Sequence, residues 1–147
     1  MRGLLKFFRL PAHERFALRN AVLLLLLIRF GLTVLPLKRL AGILRATKRV
    51  LPRNPAGASL TPELISWAVK RASRYVPGGE NCLARALTAK ALLEHAGYPA
   101  ALHIGVLRNG AGCIRAHAWV KSGERFVVGS DSDAEPFQPL LPLNSSG

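Results

Sequence analysis

The sequence predicts an α+β fold in which a helical N-terminal half leads into a small antiparallel sheet. Apolar residues recur at helical spacing from Phe16 to Leu93, and the pattern changes to strict alternation after Gly97-Tyr98-Pro99. The alternating runs are separated by turns too short for parallel crossovers, so a meander follows the helices. With 147 residues, half of them hydrophobic, the chain can bury one core, and it carries no internal repeat or low-complexity tract.

The first element spans about residues 12–34. Pro11 suits a helix start, Glu14 lies in the early turns, and the segment from Ala21 to Ile28 is uninterruptedly apolar. A membrane span wants about 20 apolar residues; Arg19, Asn20 and Arg29 cut this run short. A signal peptide would end in small residues where Arg29-Phe30 stands. The expectation is therefore a helix buried on most sides. Pro36 ends it, and Leu37, Leu40, Ile43 and Leu44 then alternate with Lys38, Arg39, Arg45, Lys48 and Arg49 as a basic amphipathic helix. Such a helix either packs on the core with a solvated basic face or docks on a membrane or an acidic protein. Residues 52–59 have linker composition and divide the chain into a basic region, 1–58, and a second region, 59–147. Thr61-Pro62-Glu63 opens a further helix running to about Tyr75.

Charge also divides the chain, near residue 75. Residues 1–75 hold 15 Lys and Arg against Glu14 and Glu63, whereas residues 76–147 hold six of each sign, so the net +13 sits entirely in the first half. An acidic partner or a membrane surface fits that asymmetry. Nucleic acid fits worst, because the cations alternate with aliphatic side chains rather than with aromatics suited to stacking. Two cysteines, Cys82 and Cys113, are too few for a disulfide framework and lack C-x-x-C spacing, which suits a reducing cytoplasm.

The chemistry-bearing residues lie in the second half. The turn Val76-Pro77-Gly78-Gly79-Glu80-Asn81 delivers Cys82 into a helical pattern ending near Gly97. A cysteine at a helix N-terminus meets unpaired backbone N–H groups and the positive end of the helix dipole, which favour a thiolate and can hold an oxyanion. A buried, inert cysteine is the competing reading. Strands follow over Leu102–Val106, Ile114–Lys121 and Arg125–Val128, and His117 shares a face with Trp119. A two-residue Ser122-Gly123 loop would put His117 opposite Val128. A three-residue loop including Glu124 would put it opposite Gly129, with Asp131 as its diagonal neighbour and Asp133 as second choice. Cysteine, histidine and aspartate in these places make a nucleophile, a general base and the acid that orients the base.

The segments Asn81-Cys82-Leu83-Ala84-Arg85-Ala86-Leu87, Gly97-Tyr98-Pro99-Ala100, Leu102-His103-Ile104-Gly105-Val106 and His117-Ala118-Trp119-Val120 resemble the transglutaminase-like cysteine proteases that remove the leader in lasso-peptide biosynthesis, in their stand-alone form. The resemblance covers about residues 64–140. It implies a papain-like core without metal or other cofactor, with Cys82 as nucleophile, His117 as base and then acid, and Asp131 or Asp133 as the orienting group. Trp119 and Asn81 are candidate substrate contacts. The implied substrate is a precursor peptide cut at its leader–core junction, with a separate leader-recognition protein and an ATP-dependent macrolactam cyclase as partners. The implied setting is cytoplasmic, with peripheral membrane contact open to the basic half. Three alternatives remain at this point. The same triad could form an amide by passing its acyl group to an amine. The chain could be a non-enzymatic membrane-surface or scaffold protein. Cys82, His103, Cys113 and His117 could hold zinc, although their spacing matches no usual site.

Overall fold

The computed structural model describes residues 10–47, 59–78, 81–108, 110, 112, 114–129 and 138–140. The helices are α1 (Ala12–Val34), α2 (Leu37–Thr47), α3 (Pro62–Ser73) and α4 (Cys82–His95). The strands are β1 (Ala101–Arg108), β2 (Ile114–Ser122), β3 (Arg125–Val128) and β4 (Gln138–Leu140). They form one antiparallel sheet in the order β3-β2-β1-β4. The α+β expectation therefore holds.

Each helix begins and ends for a local reason. Pro36 cannot continue α1, whose last turn closes with the Leu35 N–H donating to the Gly31 carbonyl at 2.7 Å. Thr61 caps α3, its hydroxyl accepting from the Leu64 N–H at 3.2 Å, with Pro62 in the first turn. Asn81 caps α4, and Gly97 leaves the helix with φ +87°, the left-handed conformation glycine adopts without steric cost. Lys90 then ties the end of α4 to the sheet, pairing with Glu94 and donating to the Ala100 carbonyl at 3.2 Å.

The core runs across the compositional boundary at residue 58. Leu24, Leu25 and Ile28 of α1 share it with Ile65 and Val69 of α3, Leu92 and Leu93 of α4, and Leu102, Ala118 and Val120 of the sheet. α4 is the central helix, touching α1, α3 and three strands. Its buried surface is dominated by Ala84, Ala86, Ala89 and Ala91, small side chains that let neighbouring layers approach closely. α2 joins the core through half-buried Leu44 and through buried Leu40, which sits in the notch left by Gly31, where an added Cβ would come within 2.7 Å of Leu40 Cδ1.

Two features differ from expectation. α1 is long and apolar enough to cross a bilayer, with 44% of its most apolar window buried, yet it is not buried on most sides. Its inner face carries the core residues, while Leu23, Leu26, Leu27, Phe30 and Val34 are exposed. The all-round apolar sequence hides which side packs, because periodicity identifies a face only where the opposite face is polar. The second feature is β4, which pairs with β1 from Ile104↔Leu140 to Val106↔Gln138. Its three residues include Pro139, which cannot donate to a ladder and so belongs on a sheet edge, where β4 lies.

Leu92, 1% exposed, tests this packing. Leu92→Ala is expected to lose about 2–5 kcal/mol in chemical denaturation, whereas Leu27→Ser on the open face of α1 stays within about 0.5 kcal/mol of wild type. A wild-type midpoint for Leu92→Ala would contradict the placement of α4.

Candidate active site

Cys82 is the first residue of α4, a half-buried free thiol packed at the margin of the core. The Oδ1 of Asn81 accepts from the Leu83 N–H at 3.0 Å and the Ala84 N–H at 3.2 Å, and the Asn81 carbonyl accepts from the Arg85 N–H at 3.0 Å. Those three amides are committed to the cap, which leaves the N–H of Cys82 itself as the donor nearest the sulfur. Asn81 thus holds the helix end.

The turn in front of Cys82 is braced from α1. Gly78 has φ +66°, and an added Cβ there would meet the Arg29 guanidinium at 2.3 Å. In the sequence Arg29 only interrupts an apolar run; in the fold its head group lies against the backbone four residues before the thiol. No local signal marks that contact, because it joins segments almost fifty residues apart.

His117 lies on β2, the strand on which α4 packs. Side chains alternate along a strand: Ala118 and Val120 enter the core, and His117 and Trp119 take the other face. There two imidazoles neighbour the Trp119 ring. That ring stacks on His103 with centroids 5.5 Å apart and on His117 at 6.1 Å. His103 pairs directly with Trp119 across the β1–β2 ladder. Trp119 is buried, and so is the Nε2 atom of His117. Sequence alternation implied the His117–Trp119 neighbourhood, but His103 joined it only once the β1–β2 register was known. Burial, and after it the nearby Lys121 ammonium, hold the His103 pKa below the ordinary histidine value.

The β2–β3 connection corrects the expected register. Ser122 pairs with Arg125, so the loop is Gly123-Glu124, and a bulge between Val120 and Lys121 then pairs Val120 with Val128. Gly129, expected opposite His117, lies instead against Trp119: its φ is +80° and an added Cβ would stand 2.6 Å from the Trp119 Cβ. Bulges shift pairing by one residue and leave no trace in alternation. Asp131, Asp133 and Cys113 lie outside the described residues. Among the described residues no group of three or more His, Cys, Asp or Glu side chains could hold a metal.

A histidine whose folded pKa is depressed favours its neutral form in the native state. The stability it contributes is present above its unfolded pKa, about 6.5, and is lost as pH falls through the folded value. Between about pH 7.5 and pH 5, wild-type Tm is therefore expected to fall further than that of His103→Gln. Parallel profiles would contradict the burial of His103 against Trp119.

Residues 24–142 match the sequence model of the Transglutaminase-like superfamily, a family that generally carries Cys-His-Asp enzymes. No curated protein and no solved structure matches the chain. The family match covers well over half of the chain, including the helix that begins at Cys82 and the strand that holds His117, and the protein belongs to the Transglutaminase-like superfamily.

Proposed function

We propose that this protein is a cysteine peptidase that removes the leader of a lasso precursor peptide at the leader–core junction. In this reading Cys82 is the nucleophile, His117 the general base and then acid, and Asp131 the group that orients His117. The observation that carries the reading is a cysteine at the capped first position of a helix packed on the strand that bears His117, in a transglutaminase-like chain. The finer assignment to leader removal rests on the motif resemblance around Asn81-Cys82-Leu83 and His117-Ala118-Trp119.

The chemistry follows from those positions. The thiol passes its proton to the imidazole, and sulfur attacks the scissile carbonyl carbon. The resulting oxyanion accepts from the Cys82 N–H. The imidazolium returns the proton to the departing amine, leaving a thioester on Cys82. Water, deprotonated by His117, then releases the leader's new carboxyl end and regenerates the thiol. The reading requires the His117 imidazole, on the face of β2 opposite Ala118 and Val120, to come within proton-transfer reach of the sulfur at the first residue of α4. A nucleophile at the first helical residue, rather than within the helix, suits that approach.

For the orienting acid we take Asp131, with Asp133 as second choice; both follow β3 in the sequence. The chain would work beside a separate leader-binding protein, which delivers the precursor, and an ATP-dependent macrolactam cyclase, which uses the freed amino terminus.

Cys82→Ala and His117→Ala are each expected to reduce precursor cleavage by at least about 10³-fold, followed by mass spectrometry with the leader-binding protein present. Normal turnover by Cys82→Ala would end the peptidase reading, and a retained-mass crosslink in place of cleavage would make the chain an amide-forming acyltransferase. Asp131→Asn is expected to lose more activity than Asp133→Asn. Iodoacetamide should alkylate Cys82 well before Cys113; equal rates would count against Cys82 as the nucleophile.

A further inference from the structure

The open face of α1 has no role in the core or in the proposed chemistry. Leu23, Leu26, Leu27, Phe30 and Val34 fall on one side of the helix and form a stripe about 17 Å long. Phe30 is 71% exposed and Leu27 63%. Ile43 of the neighbouring α2 is also exposed. Single exposed apolar side chains are ordinary, but a continuous line of them marks a surface that something covers.

The surrounding charge says what covers it. Lys38, Arg39 and Arg45 of α2 and Arg19 of α1 are exposed, and between Ala12 and Thr47 the sole acidic residue is Glu14. We infer that this face is a peripheral docking surface for an anionic lipid bilayer. α1 lies in the plane of the interface, its outer leucines and Phe30 enter the acyl boundary, and the cations meet lipid headgroups. α1 does not span the bilayer, because its inner face supplies Phe16, Leu18, Leu24, Leu25 and Ile28 to the core shared with α3 and α4. Insertion across the membrane would strip that core. Docking in the plane leaves it intact. The inference stands independently of the peptidase reading, since none of these residues belongs to the proposed site.

The test is flotation of the purified full chain with phosphatidylcholine vesicles containing about a quarter phosphatidylglycerol, against pure phosphatidylcholine vesicles. Wild type is expected to float with the anionic vesicles, and to be released by about 0.5 M salt. The double variant Leu27→Ser/Phe30→Ser and the triple variant Lys38→Gln/Arg39→Gln/Arg45→Gln should each weaken that binding by about ten-fold or more, with circular dichroism and Tm reporting an intact fold. Failure to float with anionic vesicles, equal affinity for neutral vesicles, or retention through an alkaline carbonate wash, as for a spanning helix, would each overturn the proposal. So would a dimer in sedimentation velocity that is lost in Leu27→Ser/Phe30→Ser while vesicle binding is unchanged, because the stripe would then be covered by a second copy.

Discussion

The structure depends on how tightly α4 is held. One helix carries the candidate nucleophile at its first residue and touches α1, α3 and the sheet at once. Its alanines allow those layers to close in, Asn81 fixes where the helix starts, and Lys90 fixes where it meets β1. A thiol at such a position cannot drift along or around the helix without disturbing the core. Reaction geometry demands placement of this kind, since small displacements of a reacting atom carry large rate penalties.

The two halves of the chain are joined by the same packing. Composition separates a basic region from a nearly neutral one, but the core does not respect that boundary: α1 buries its inner leucines against the helices that follow the linker. Among the described residues, Arg19 of α1 and Lys38, Arg39 and Arg45 of α2 are exposed. Arg29 connects the two halves, its guanidinium lying against Gly78 in the turn before Cys82. That turn is therefore set by a helix that contributes no reacting group.

Much of this was legible in the sequence, and the illegible parts share a physical cause. The start of α3 was readable at Thr61 because a cap is local, that of α4 because a turn segment hands the chain to a helical pattern at Cys82, and the three longer strands because alternation is local. The long-range features were not. The bulge after Val120 moved the register by one residue and brought Gly129 beside Trp119. β4 is too short, and too interrupted by Pro139, to show a period. The exposed stripe on α1 was hidden because leucines on its inner and outer faces look alike in sequence. For the site, Cys82 at a helix start and the His117–Trp119 pair were readable. His103 and Arg29 were not, since each owes its place to a partner distant in the chain. The choice between Asp131 and Asp133 depends on register, which alternation alone does not set.

The proposed chemistry needs a sulfur and an imidazole close enough to exchange a proton, and a short bifunctional alkylator measures that distance chemically. Treatment with 1,3-dibromoacetone, followed by proteolysis and mass spectrometry, is expected to give one bridged product joining the peptide with Cys82 to the peptide with His117. Alkylation of Cys82 that leaves His117 unbridged, or a bridge to His103 instead, would contradict the proposed pair.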